Sequence, residues 1–307
     1  MIPSRLAVID LGSNTFHLLI VDVDSLGLWQ TILKDRRYVK LASGGIDFID
    51  DAAIGRAISV MVEFSERIQG MDVLHTIALG TAALREARNG LDVVERIQTA
   101  SGIPIELIDG HQEAYYIWKG ITSSLPGLYR PCLIMDIGGG SVEFIFYENS
   151  SIHYTASYKI GVAVLYRTYH LSDPIHQDEI ESIERRLEDE LAGLIELLRQ
   201  SDGYFLIGAS GSFEVIQDVL PKINASTHWS ELDMTSLLPY LDEVIRLSLA
   251  ERKLRPEIPV ERLDYIIVAY VLIRFLVRRA PPEKLFYCDF ALKEGAIVEK
   301  IEKFRLI

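Results

Sequence analysis

An acid, three consecutive glycines, a hydroxyl and a second acid stand between two apolar runs in the stretch LIMDIGGGSVEFIFYE at residues 133–148. Asp136 and Glu143 bracket the turn Gly138-Gly139-Gly140-Ser141, with apolar runs on both sides. An ordinary hairpin turn needs only two residues of the Asn-Gly kind. Three glycines leave a length of backbone without side chains, which suits a group that must approach the chain closely. Successive N–H groups in such a turn form a cradle for an anion, typically phosphate. Paired carboxylates at the same mouth suit Mg²⁺, which commonly takes one or two protein carboxylates together with phosphate oxygens. A hairpin with two surface carboxylates has the same spacing, so the pattern alone leaves both readings open.

The opening of the chain repeats the pattern. RLAVIDLGSNTFHLLIVDV at 5–23 runs in step with PCLIMDIGGGSVEFIFYE at 131–148. Asp10 aligns with Asp136, Gly12 with Gly138, Ser13 and Asn14 with Gly139 and Gly140, and Thr15 with Ser141. His17 stands in the place of Glu143, so only the second copy has the paired acids. Each copy reads as strand–turn–strand. Two copies in the same order predict two related subdomains, each giving one loop to a shared cleft. Backbone N–H groups and the Ser13 and Ser141 hydroxyls are then phosphate ligands that require no net positive charge.

The elements that must hold these turns follow from periodicity. Apolar residues at Ile54, Ile58, Met61, Val62 and Ile68 predict a helix over 51–69. Strands are expected at 73–80 and 105–109, with helices around 91–101 and 112–121, and residues 123–131 carry the turn signals of a linker. Beyond it, Ile180, Ile183, Leu187, Leu191, Leu194 and Leu198 mark one helix face. A strand at 204–208, a small-residue turn at 209–212, helices at 213–220, 235–250 and 262–279, a strand at 285–288 and a helix from 291 complete the chain. The class is α/β, and ligands belong at the carboxyl ends of its strands. Domain boundaries are expected at 1–124 and 131–290, with the C-terminal helix 291–307 a candidate for completing the first domain.

Composition sets the bounds. The 307 residues are 49% hydrophobic and 24% charged, as in an ordinary globular chain of about two domains. The net charge of −13 argues against nucleic acid as a partner. It also means that an anion site must be a local arrangement of cations, N–H groups or bound metal. Cys132 and Cys288 sit in apolar runs and read as reduced core residues of a cytoplasmic protein, without zinc-ligand spacing. No signal peptide is expected, and the apolar stretch 265–277 is too short to span a membrane.

The order of six motifs gives a resemblance over essentially the whole chain. DLGSNT at 10–15, LGTAALREARNG at 79–90, DGHQEA at 109–114, DIGGGSVEF at 136–144, GASGS at 208–212 and DFALKEG at 289–295 resemble those of exopolyphosphatases and guanosine pentaphosphate phosphohydrolases. That family belongs to the actin-like, sugar-kinase and heat-shock-ATPase superfold. The resemblance therefore implies two actin-like (ribonuclease H-like) subdomains with a cleft between them. Its longer members carry a helical extension with an HD-type domain. This chain has no His-Asp dipeptide and reads as a short two-domain form.

The resemblance also assigns roles. Glu113 matches the glutamate that serves as general base in the G-x-E-E-A motif, although a first-turn glutamate is favoured by the helix dipole in any case. Gln112 replaces the first glutamate of that motif. Arg85 matches an arginine beside the substrate, and its fork suits phosphate. Asp136 and Glu143 are implied to be associated with Mg²⁺. Asp10, Gly12, Ser13, Asn14, Thr15, Gly138, Gly139, Gly140 and Ser141 are implied substrate contacts. Gly208, Ser210 and Gly211 resemble the loop that lies by base and ribose in nucleotide-binding relatives. Lys293 and Lys40 stand where the family has arginines. The implied reaction is hydrolysis of a terminal phosphoanhydride of polyphosphate, or of a guanosine penta- or tetraphosphate, by a protein that often dimerises. A sugar-kinase-like phosphotransferase is disfavoured by the DGHQEA context. A non-catalytic sensor of the same anions stays open because of Gln112, Lys40 and Lys293.

Overall fold

The computed structural model describes residues 4–125, 130–149 and 151–305. The chain divides into two compact units, Met1–Ser123 with Phe290–Ile307, and Ser124–Asp289.

The first unit holds β1 (Ser4–Leu11), β2 (Thr15–Val23), β3 (Trp29–Tyr38), α1 (Asp51–Gln69), β4 (His75–Gly80), α2 (Ala82–Glu86), α3 (Gly90–Ser101), β5 (Glu106–Leu107) and α4 (Gly110–Ser124). Its sheet runs β3-β2-β1-β4-β5. The hairpin strands pair antiparallel, while β4 and β5 join in parallel. One sheet face (Ala7, Ile9, Leu11, Phe16, Leu18, Ile20) buries the apolar stripes of α1 and α3. On α1 that stripe is Ala53, Ile54, Ala57, Met61, Phe64 and Ile68, a helical period, and the Asp50 carboxylate caps the helix by accepting from the Ala53 N–H.

The second unit holds β6 (Cys132–Ile137), β7 (Val142–Glu148), β8 (Ser151–Tyr158), α5 (Val162–Tyr169), α6 (Gln177–Gln200), β9 (Phe205–Ala209), α7 (Ser210–Val219), β10 (Lys222–Ala225), β11 (Trp229–Leu232), α8 (Met234–Ile245), α9 (Leu249–Arg252), α10 (Ile266–Arg279) and β12 (Lys284–Cys288). Its sheet runs β10-β11-β12-β9-β6-β7-β8. Strands β12, β9 and β6 are parallel, and the rest pair antiparallel. Helix α10 is buried on every side from Ile266 to Val277, which is why that stretch is apolar all round except at Arg274, which pairs with Glu184 and Asp242.

The last helix, α11 (Leu292–Arg305), belongs to the first unit. Phe290 stacks on Trp29 at 5.3 Å and Phe304 meets His75 at 5.1 Å, so the segment is pinned at both ends. At its first turn it crosses α4 with the backbones in contact. A Cβ on Gly295 would lie 1.8 Å from the Tyr116 carbonyl oxygen, and one on Gly120 would lie 2.3 Å from that of Ala291. Backbone atoms cannot step aside as a flexible side chain can. Gly295→Ala should therefore cost about 1–3 kcal/mol, the usual range for overpacking, read as a lowered midpoint in calorimetry.

Several expected bounds shift for local reasons. The strand expected over 105–109 is only Glu106–Leu107, because Asp109 already caps α4 through the Gln112 N–H. The turn expected at 209–212 is instead the first turn of α7, which starts at Ser210. The single helix expected over 235–250 stops at Ile245, and Ser248 with Glu251 builds a capping box that starts α9. The helix expected from 262 begins at Ile266, preceded by a 3-10 turn at Val260–Arg262. The linker centred on 126–129 lies outside the described residues.

Candidate functional site

Each unit carries one glycine turn, and both are built alike. Gly12 N–H donates to the Thr15 carbonyl at 3.1 Å, and Gly138 N–H donates to that of Ser141 at 2.9 Å. A Cβ at either glycine would fall 2.9 Å from that same carbonyl oxygen, so the tight return demands glycine. Behind each turn lies the segment that leaves the third strand of the unit.

In the second unit that segment is the start of α5. The N–H groups of Val162, Ala163 and Gly161 donate to the carbonyls of Gly138, Gly139 and Gly140 at 3.0, 2.9 and 3.3 Å. A planar trans peptide points its N–H opposite to its C=O. The N–H groups of Gly139, Gly140 and Ser141 therefore all point away from α5, side by side, as an anion cradle requires. In the first unit, Ala42 N–H donates to the Ser13 carbonyl, and Val39 and Lys40 N–H groups donate to that of Asn14. By the same geometry the Asn14 and Thr15 N–H groups point outward.

The row of side chains next to each turn differs between the units. In the second, Asp136 stands opposite Glu143, and Glu143 opposite Ser157. Glu143 is buried, and its Oε1 accepts from both the Ser141 and Ser157 hydroxyls at 2.6 and 2.7 Å. In the first, Asp10 stands opposite His17, and His17 opposite Arg36. Lys293 on α11 lies near this row, with its Nζ 3.2 Å from the fully buried Glu294. Burial alone would lower the Lys293 pKa, but the Glu294 and Asp10 carboxylates outweigh it and hold the ammonium above its ordinary value. No group of three or more His, Cys, Asp or Glu residues suited to a metal occurs among the described residues. A pair of carboxylates on adjacent strands still fits Mg²⁺, which fills its remaining positions with water and phosphate oxygens.

The structure brings Arg85 and Glu113 together. Arg85, at the end of α2, donates from Nη1 to Glu113 Oε2 at 3.2 Å and to the Ile108 carbonyl at 2.8 Å. Its Nε donates to Glu86. Glu113 sits in the first turn of α4 and is 7% exposed. The pair is tied to the first glycine turn: the Ser13 hydroxyl oxygen accepts the Ala83 N–H at 3.1 Å, anchoring the start of α2. Ser13 and Ser141, expected as ligands through their hydroxyls, are thus both buried and engaged within their own units.

The remaining candidates separate by surroundings. Gln112 turns toward Tyr116, whose hydroxyl donates to Glu299 on α11. Burial, as the largest cause, pushes that phenol up to about 12. Gln112 therefore serves the α4–α11 contact. Lys40 takes the left-handed conformation beside the first turn. Gly208 and Gly211 lie at the end of β9 and in the first turn of α7, with Ser210 between them. Sequence reasoning missed Glu294 and Arg262, the latter packed on Gly211. A buried charge between Lys293 and a glycine was a signal for the first; Arg262 had none, being far away in sequence.

The model of the Ppx/GppA phosphatase family matches residues 19–304. A crystal structure of an exopolyphosphatase from Cytophaga hutchinsonii superposes with a TM-score of 0.91 at 30% identity, covering 97% of this chain and 98% of that one. The crystal structure of the Aquifex aeolicus Ppx/GppA family member superposes with a TM-score of 0.80 at 24% identity over 98% and 99% of the two chains, a likeness of fold. A guanosine-5'-triphosphate,3'-diphosphate pyrophosphatase of Photobacterium profundum is 28% identical over 97% of this chain. The chain spans 60% of that relative's length. No helix among the described residues is long and apolar enough to cross a membrane.

Proposed function

Because the chain belongs to the Ppx/GppA phosphatase family, we propose that it hydrolyses the terminal phosphoanhydride bond of inorganic polyphosphate, releasing orthophosphate. The observation that carries this reading is the buried Glu113–Arg85 pair, anchored through Ser13 to a glycine turn whose N–H groups point outward.

Glu113 takes a proton from the attacking water, and its burial keeps competing solvent away. A positioned base of this kind contributes about 10²–10⁴ in rate. Arg85 orients Glu113 through Nη1, while its Nη2, which makes no hydrogen bond among the described residues, is available for a phosphoryl oxygen. The outward N–H groups of the first turn take phosphoryl oxygens, and Lys293, held protonated beside Asp10, adds positive charge. Phosphoryl transfer depends mainly on such positioning and charge stabilisation. Asp136 and Glu143 would hold Mg²⁺, which would supply positive charge to a phosphate at the second unit's own turn.

Polyphosphate is favoured by the Cytophaga exopolyphosphatase, matched almost end to end. The Photobacterium enzyme supports guanosine pentaphosphate as the alternative, over a smaller share of its own length. The test is orthophosphate release from long-chain polyphosphate and from guanosine pentaphosphate, with Mg²⁺ and then with excess EDTA. Release from polyphosphate that stops on chelation and resumes with added Mg²⁺ is expected. Binding of either anion without release would replace the enzyme by a sensor.

A further inference from the structure

Glu294 is the most deeply buried carboxylate among the described residues, with no exposed surface. An ionised carboxylate leaves water only at a large cost unless it is paired and hydrogen-bonded. One of its oxygens serves the fold. Oε2 accepts the Ala291 N–H at 2.9 Å, three residues back at the start of α11. A glutamine closes such a cap as well as a glutamate does, so the cap does not account for the charge.

The other oxygen does. Oε1 lies 3.2 Å from Lys293 Nζ and 3.9 Å from the Nζ of Lys34 on β3. Lys34 is partly in solvent and rests over the Phe290 ring at 5.8 Å. Lys293 is nearly covered, its side chain 15% exposed. The charged groups around its ammonium are Glu294 on its own helix, Asp10 on β1 and Arg36 on β3, with His17 on β2 between those two strands. Burial works against the ammonium and Arg36 repels it; Glu294 first and Asp10 second outweigh both. A buried lysine left without such a partner gives up its proton readily, whereas an arginine stays charged.

We propose that Glu294 is a positioning residue: its buried carboxylate fixes the Lys293 ammonium beside Asp10, two residues from Gly12 of the first glycine turn, as a standing positive charge for a phosphoryl oxygen. Glu294 touches no substrate and acts only through Lys293. The inference rests on the reading of the first turn as the phosphate site of a phosphoanhydride hydrolase.

The experiment follows kcat/KM for long-chain polyphosphate, with Mg²⁺, as the pH is raised, in the wild-type chain, Glu294→Gln and Glu294→Gln combined with Lys293→Arg. Glu294→Gln keeps an oxygen for the Ala291 N–H and removes the charge opposite Lys293. Its activity should begin to fall at least about one pH unit below the wild type, a difference of about tenfold on the alkaline side. The combined variant should lose this early fall, because a guanidinium does not deprotonate in that range. A loss that is equal at every pH, no loss at all, or an early fall that Lys293→Arg does not remove overturns the proposal. Titration of the Lys293 ammonium by NMR, in protein carrying isotope-labelled lysine, reads the same link without hydrolysis; its signal is the one missing from Lys293→Arg. If the wild type releases no phosphate, the hydrolase reading fails, and this titration decides on Glu294. Deprotonation at lower pH in Glu294→Gln than in the wild type supports its hold on Lys293, and deprotonation at the same pH ends it. Should the glutamine variant not fold, the wild-type titration carries the test: a Lys293 that loses its proton within or below the ordinary lysine range overturns the proposal, and one that keeps it beyond that range upholds it.

Discussion

Glu113→Gln should reduce kcat for phosphate release by about 10²–10⁴, the range for a lost general base, with KM and thermal stability nearly unchanged. The substitution keeps the shape of the side chain and leaves an amide oxygen that still accepts from Arg85 Nη1. It removes only the ability to take a proton. The split between kcat and KM is the informative part. A loss confined to KM would make Glu113 a substrate contact, and a loss below tenfold would remove it as the base. Since Glu113 is buried and paired with Arg85, a fall in stability alongside the fall in rate would show that the pair serves the fold instead.

A comparably large effect is expected from Gly161→Ala, at a residue that bears no functional group. Gly161 has φ −61° and ψ 162°, a conformation open to any residue, so its backbone imposes no need for glycine. Space does. A Cβ there would lie 2.5 Å from the carbonyl carbon and oxygen of Gly139 and from the carbonyl carbon of Gly140. The methyl must push the glycine turn off α5 and turn the Gly139, Gly140 and Ser141 N–H groups away from their common direction. Misplacing such donors typically costs about 10²–10³ in rate, and the overpacking itself about 1–3 kcal/mol. Initial rates with polyphosphate, together with a thermal melt, measure both. Gly193→Ala on α6 is the control, because a Cβ there meets nothing within 4 Å. If Gly161→Ala melts lower yet hydrolyses normally, the turn is not the phosphate cradle.

How far the sequence could be read depended on where the information lay. Helix α1 was legible to the residue because its apolar stripe is regular and Asp50 marks its start. The repeat exposed both hairpins, since their turns carry glycine for the same close carbonyl contact. The third strands were not seen. On β3 the run KDRRY is a polar sheet edge without strict alternation, and β8 is likewise a half-exposed edge. With them went the segments at 39–42 and 161–163 that hold the turns from behind. That role consists of hydrogen bonds between main-chain atoms, which no side-chain pattern encodes. Arg85 and Glu113 were singled out through the resemblance, but the chain of contacts joining Ser13 to α2 and Arg85 was not. Gly208 and Gly211 show a different limit. A glycine signals that something comes close, but whether that something is a ligand or the chain's own Phe213 and Arg262 is decided by the fold.

The division of the chain bears on the order in which it folds. The second unit is one uninterrupted stretch, whereas the first is split and needs Phe290–Ile307 to cover its sheet and α4. During synthesis the second unit can close as soon as Asp289 has emerged, since domains generally fold as they are made. The first, although begun earlier, keeps the apolar flank of β1 and α4 uncovered until α11 arrives. The residues proposed for catalysis, Arg85 and Glu113, lie in that late-finishing half. Activity then becomes a report on the last step of maturation, and a chain cut short before α11 is left with an exposed greasy surface that invites aggregation and clearance.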